Sequence, residues 1–215
     1  MDGRKHVSLL SAWRFKRQRK RRTGISKLKF IIMTEEIIIA GFGGQGVLSM
    51  GKILAYSGIM EDKEVTWFPS YGPEMRGGTA NVTVIVSDTR ISSPILQKYD
   101  TAIILNQQSM DKFESAVKQG GTLLYDPNGV VNPPTRTDIN IYKVEGTKTA
   151  VDMGNPKVFN MIVCGSYLKV RPILSLDNVE KGLEKSLPER YHKLIPLNLK
   201  AIQKGQEIVE TVQLV

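Results

Sequence analysis

Glu36-Ile37-Ile38-Ile39-Ala40-Gly41-Phe42-Gly43-Gly44-Gln45-Gly46-Val47 is the stretch that decides the fold. Its first five residues form a nearly unbroken apolar run, the pattern of a strand buried on both faces. The run passes directly into G-x-G-x-x-G, and Val47 to Met60 then reads as a helix with Val47, Leu48, Ile53, Leu54 and Ile59 apolar. Strand, glycine turn and helix in immediate succession are the context that gives this glycine pattern meaning. Glycines permit the tight turn and a close backbone approach, and the helix start offers free N–H groups to an acceptor. Gly41, Gly43, Gly44, Gln45 and Gly46 are therefore the candidate cofactor-binding residues. The competing structural reading is that the glycines only let strand and helix pack closely.

Downstream, Val65-Thr66-Trp67-Phe68 predicts a second strand ended by Pro69. A glycine-rich loop follows, Ser70-Tyr71-Gly72-Pro73-Glu74-Met75-Arg76-Gly77-Gly78. Ala80–Val86 alternates as a strand with one more polar face, and Thr101–Leu105 is another buried strand. Ser109 is expected to cap a helix through Gln119, ended by Gly120-Gly121, before a strand at Thr122–Tyr125. Ile139–Val144 reads as the last strand. Asn155-Pro156 opens a helix to about Lys169, a short helix runs near 176–186, and a final helix covers about 197–213. Alternating buried strands and helices predict an α/β fold, a Rossmann-like three-layer sandwich with a mainly parallel sheet and flanking helices.

The second loop leaves the carboxyl end of a strand, the side on which open α/β sheets bind ligands. Tyr71, Gly72, Pro73, Glu74, Arg76, Gly77 and Gly78 are thus the candidate partner- or substrate-facing residues. Arg76 suits an anion or a partner carboxylate, with Glu74 orienting it or meeting a partner's base. The alternative is two solvated charges on a turn.

A dinucleotide site places an acid at the carboxyl end of the second strand, where it holds the ribose hydroxyls. Here that strand ends in Phe68-Pro69-Ser70, while Glu61, Asp62 and Glu64 precede it. That arrangement disfavours NAD or FAD. A P-loop is absent too. His6 and His192 are the only histidines, so no Ser-His-Asp or Cys-His machinery is evident. Cys164 is the only cysteine and lies in the apolar run Met161-Ile162-Val163-Cys164, the setting of a core residue. One thiol excludes an internal disulfide and a cluster that takes about four thiolates. No catalytic residue and no metal ligand is assigned.

The 215 residues carry a formal net charge of +9. Residues 1–32 hold eleven Lys and Arg against one acid, net +10, which leaves 19 basic and 20 acidic residues, net −1, for 33–215. The excess belongs to a segment containing Lys16-Arg17-Gln18-Arg19-Lys20-Arg21-Arg22, expected as a disordered N-terminal extension. Such a block can bind nucleic acid or anionic lipid or serve as an address. Alternatively Met33 is the working start. The balanced remainder, 33–215, is expected to be one domain, with no nucleic-acid or membrane partner. No apolar run reaches the roughly 18–20 residues of a membrane span, and the expectation is a soluble, cytoplasmic chain.

The two loops together resemble the gamma subunit of 2-oxoacid:ferredoxin oxidoreductases. Ile39-Ala40-Gly41-Phe42-Gly43-Gly44-Gln45-Gly46-Val47 and Ser70-Tyr71-Gly72-Pro73-Glu74-Met75-Arg76-Gly77-Gly78-Thr79-Ala80-Asn81 carry the likeness, which covers about 35–213. The Tyr-Gly-Pro-Glu-Met-Arg-Gly-Gly form is similar to the 2-oxoglutarate and branched-chain enzymes. Pyruvate gamma subunits usually show an Arg before the paired glycines and a Phe-Gly-x-Glu-Arg-Arg-Gly second loop, where this chain has Phe42 and Tyr71. Indolepyruvate enzymes have a related glycine loop and a different second loop.

The resemblance implies a multi-subunit enzyme with alpha, beta and sometimes delta subunits as partners. It implies oxidative decarboxylation of a 2-oxoacid with coenzyme A to acyl-CoA and CO2, with electrons passing to ferredoxin. Thiamine diphosphate, Mg2+, [4Fe-4S] clusters and coenzyme A are then expected on other subunits or at interfaces, since this chain lacks both the cluster cysteines and a Gly-Asp-Gly…Asn pattern. Its expected contribution is binding and architecture, with the isolated chain inactive. A free-standing nucleotide-binding Rossmann-like domain is the alternative.

Overall fold

The computed structural model describes residues 33–71 and 79–212. The expected basic extension, and Gly72, Pro73, Glu74, Arg76, Gly77 and Gly78 of the second loop, lie outside the described residues, as does the side chain of Tyr71.

Seven strands form one sheet in the order β2-β3-β1-β4-β5-β6-β7. They are β1 (Thr34–Phe42), β2 (Glu64–Tyr71), β3 (Thr79–Ser87), β4 (Tyr99–Ile104), β5 (Val117–Tyr125), β6 (Asn140–Lys143) and β7 (Glu210–Val212). The run β1-β4-β5-β6 is parallel, while β3 is antiparallel to both β1 and β2, and β7 is antiparallel to β6. Five of the seven strands thus point the same way, and β3 and β7 oppose them.

The helices are α1 (Val47–Met60), α2 (Gln107–Phe113), α3 (Gly146–Asp152), α4 (Phe159–Val170), α5 (Leu176–Ser186) and α6 (Ile195–Ile208). Because side chains alternate across a strand, β1 feeds two cores. Ile37 and Ile39 pack with α1, α4, α5 and α6, whereas Ile38 and Ala40 pack with Met110 and Phe113 of α2. The result is the three-layer α/β sandwich. On the thicker side α4 and α6 touch through glycines: a Cβ on Gly165 would lie 1.9 Å from the Ile202 carbonyl oxygen, and one on Gly205 1.9 Å from that of Ile162. Burial pushes the Cys164 thiol up to about 12, so it is an inert part of this core.

Several boundaries differ from expectation. Strand β2 runs through Pro69 to Tyr71, because an edge strand pairs on one side only and tolerates a missing N–H. Strand β3 is buried on both faces, with Thr83 and Ile85 buried along with Val82 and Val84. Asn106, not Ser109, caps α2, its Oδ1 accepting the Ser109 N–H at 2.8 Å. That helix stops at Phe113, a 3-10 turn covers Glu114–Ala116, and β5 takes up Val117 onward, with Gly120-Gly121 inside the strand. Residues 210–212 leave the final helix to pair with β6, and α3 was not foreseen.

The glycine loop and the carboxyl edge of the sheet

Phe42 at the end of β1 pairs with Thr79, and Tyr71 at the end of β2 pairs with Ala80, so Tyr71 and Thr79, the described residues on either side of 72–78, stand at the same edge as the glycine loop. Leu105, Asp126 and Val144 follow the ends of β4, β5 and β6 on this same edge. Glu64 pairs with Ser87, which pairs with Thr34, so the acids around 61–64 stand at the opposite edge. No acid terminates β2.

Between β1 and β4 the chain changes sides: α1 covers one face of the sheet and α2 the other. This is the topological switch point at which open α/β sheets take ligands. Gly44 and Gly46 hold φ values of 98° and 76°, backbone states that side chains with a Cβ rarely adopt. Gly46 is also the residue before α1. No side chain caps that helix and no acid occupies its first turn, so its first N–H groups depend on partners outside the helix. Gly43 and Gly44 are exposed, and nothing lies within 4 Å of a Cβ built on Gly44. The backbone there is open to a contacting molecule.

Gln45 behaves differently. Its Oε1 accepts the Phe42 N–H at 2.6 Å, and its Nε2 donates to the Leu105 carbonyl at 3.0 Å. Each end of the carboxamide makes a hydrogen bond inside the protein. Gly41 permits this, because a Cβ there would stand 2.5 Å from Gln45 Oε1 and 2.9 Å from Leu105 Cβ.

Lys157 and Asn160, overlooked in the sequence, stand on the other flank. A cleft of about 240 Å³ separates the glycine loop from the turn at Pro156–Asn160 and includes Ser49, Lys157 and Asn160. Asn160 Nδ2 lies 3.4 Å from the Gly46 carbonyl, and a Cβ on Gly46 would approach that nitrogen to 2.5 Å. Asn155-Pro156 did signal a helix start, and Asn155 Oδ1 does accept the Lys157 N–H. That this start abuts the glycine loop is a contact 114 residues apart, beyond any local pattern.

Further along the edge Asp126 is buried, accepting hydrogen bonds from the Asn128 N–H and the Thr147 hydroxyl. Burial raises its pKa above the usual carboxylate range; the hydrogen bonds oppose that shift and Glu145 adds to it. His192 is tied through Nε2 to the Leu187 carbonyl at 3.0 Å. Among the described residues no three His, Cys, Asp or Glu side chains converge as a metal-donor set. The described edge offers exposed backbone, Lys157 and amide groups.

An α/β sandwich with an open glycine loop at its switch point defines a Rossmann-like subunit class, and comparison with known proteins narrows it. The chain belongs to the pyruvate ferredoxin/flavodoxin oxidoreductase family, which matches residues 36–208. The 2-oxoglutarate synthase subunit KorC of Methanocaldococcus jannaschii is 34% identical over 181 residues, 83% of this chain and 95% of that one. The ketoisovalerate oxidoreductase subunit VorA of Methanothermobacter marburgensis is also 34% identical, over 79% of this chain but 35% of its own length. Among solved structures, the keto/oxoacid ferredoxin oxidoreductase gamma subunit of Geobacter sulfurreducens matches with TM-score 0.70 and 31% identity, over 82% of this chain and 96% of that one. The 2-oxoglutarate:ferredoxin oxidoreductase of Magnetococcus marinus shares the fold, with TM-score 0.73 and 23% identity over 81% of this chain and 30% of that one. This chain is therefore of the gamma-subunit type of the 2-oxoacid:ferredoxin oxidoreductases. No helix among the described residues is long and apolar enough to cross a membrane.

Proposed function

We propose that this chain is the gamma subunit of a complex that oxidatively decarboxylates 2-oxoglutarate with coenzyme A, delivering electrons to ferredoxin. The observation that carries the reading is the 34% identity to a 2-oxoglutarate synthase subunit over nearly that subunit's whole length. The second loop supports it through its likeness to 2-oxoglutarate and branched-chain enzymes. In this reading the carboxyl edge of the sheet faces the catalytic subunits. The exposed peptides at Gly43 and Gly44 and the segment Tyr71–Gly78 make the contact, with Arg76 meeting a carboxylate or another anion. Coenzyme A, bound in the Magnetococcus enzyme together with 2-oxoglutarate and succinyl-CoA, passes this edge. Thiamine diphosphate and the clusters reside on alpha, beta or delta subunits, where they supply the carbanion and electron-transfer chemistry.

The test is a pull-down of the tagged full-length chain from its native host, followed by viologen reduction with each 2-oxoacid. Partner subunits should co-purify, and turnover should require coenzyme A. 2-Oxoglutarate should exceed pyruvate and 2-oxoisovalerate by about tenfold or more in kcat/KM, a transition-state preference of about 1.4 kcal/mol. A preference for 2-oxoisovalerate would move the assignment to the branched-chain enzymes. Turnover by the isolated chain would sink the subunit reading.

A further inference from the structure

We infer that Gln45 is a built-in occupant of the switch-point crevice. Its carboxamide spans the crevice between the carboxyl ends of β1 and β4, where sheets of this class admit a dinucleotide, and it sets the shape of the glycine loop from within. The chain thereby keeps the glycine pattern of a dinucleotide fold while excluding a dinucleotide from the crevice.

The geometry behind this is specific. Strands β1 and β4 are adjacent and parallel, and their helices leave toward opposite faces, which opens a crevice above their carboxyl ends. The Leu105 N–H closes the floor by donating to the Ala40 carbonyl at 2.8 Å. Above that floor Gln45 donates to the Leu105 carbonyl on the β4 side and accepts from the Phe42 N–H on the β1 side. The Gln45 N–H closes a turn onto the Phe42 carbonyl at 3.2 Å. One residue thus bridges both walls. A ligand phosphate approaching Phe42 would have to displace Oε1 and leave the Leu105 carbonyl without its donor. Gly41 is bare on the side facing Gln45, so the space spared by the missing Cβ is taken by protein rather than left for a ligand.

The absence of an acid at the end of β2 agrees with this from an independent direction, since a dinucleotide would find no ribose partner there. Gln45 is a positioning residue: it acts through the backbone of residues 41–46. The inference does not depend on which subunits the chain joins.

Calorimetric titration of the full chain with NAD+, FAD and ADP tests it. The wild type should show no saturable binding. Gln45→Ala, which vacates the crevice and frees the Phe42 N–H, should bind inorganic pyrophosphate about tenfold more tightly than the wild type. Gln45→Glu keeps an acceptor for Phe42, loses the donor to Leu105, and should gain nothing because its charge repels the anion. Wild-type binding of a dinucleotide in the micromolar range would overturn the inference. So would a folded Gln45→Ala protein with no gain. Should that variant not fold, amide exchange in the wild type decides: protection at Phe42 at least about tenfold above Gly43 and Gly44 supports the plug, and equal exchange removes it.

Discussion

The two ends of the sheet are built on opposite principles. At the amino end the strands are tied down by charge. Glu35, fully buried, accepts from Thr101 Oγ1 at 2.6 Å and from Arg171 Nε at 3.0 Å, with Arg171 Nη2 on its second oxygen. Lys118 bridges Glu36 and Asp100 at 2.6 and 2.7 Å, and Lys63 pairs with Asp88 at 2.8 Å. At the opposite edge, where β1 and β4 end and β3 begins, the partners among the described residues are backbone groups and amides. Paired charge fixes position and leaves nothing to offer, whereas exposed peptide groups remain available. The difference marks the amino end as scaffold, and in the proposed reading the carboxyl end of β1 and β4 is the working surface.

The largest effect expected from this contrast is at Arg171. Arg171→Met strands a carboxylate that has no solvent access, and the cost should be about 3 kcal/mol in urea unfolding. Glu35→Gln, which removes the charge and keeps an acceptor for Thr101, should cost less than Arg171→Met. A loss below about 1 kcal/mol for Arg171→Met would mean the amino end is not the rigid part.

Next comes Gly41. Its missing Cβ is the condition for the Gln45 bridge, so Gly41→Ala should cost about 1–3 kcal/mol through overpacking, and co-purification of partner subunits should weaken. Gly44→Ala meets open space and pays only for φ 98°, about 1–2 kcal/mol. If Gly44→Ala weakens assembly as much as Gly41→Ala at a smaller stability loss, the exposed crest is itself the contact. Equal assembly in wild type and both variants would deny the carboxyl edge its assigned role.

How much of this was legible follows from how local each signal is. The β1–loop–α1 unit was readable residue by residue, and α1 spans Val47–Met60 as its apolar spacing and glycine start predict. Ser175 caps α5 as a helix start should, accepting the Asn178 N–H. The Gly120-Gly121 pair misled, because it resembles a helix stop. Lys118, two residues past the end of the 3-10 turn that follows α2, is instead held in β5 by carboxylates on β1 and β4. Strand β7 hid behind an apolar pattern continuous with α6, since only pairing with β6 distinguishes it. At the candidate site the glycines were visible as a motif. The roles of Leu105 and Asn160 were not, because each meets the loop from 60 or more residues away.

The smallest predicted effects distinguish the two ends by the sign of their pH dependence. Asp88, at the amino end, has its pKa lowered by the Lys63 ammonium and then by the Met33 N–H. Its contribution is present above the unfolded carboxylate value near 3.9 and is lost as pH falls through the lowered folded value. The pair is partly exposed, so Asp88→Asn should cost less than about 1 kcal/mol at neutral pH, and the difference should vanish in acid. Asp126, at the carboxyl end, runs the other way. Its folded pKa is raised, so ionisation opposes folding once pH climbs from the unfolded value through the folded one. Asp126→Asn removes that penalty and keeps most of the hydrogen bonding: Oδ1 still accepts from Asn128 and Nδ2 can donate to a Thr147 hydroxyl that has turned to accept, while the Thr147 N–H, which also points at the carboxylate, offsets part of the gain. The variant should therefore melt slightly above wild type at pH 7, with the gap closing toward pH 4. A variant less stable than wild type at every pH would show that the buried carboxylate is favourable where it stands, and the two ends would then differ in geometry but not in the sense of their electrostatics.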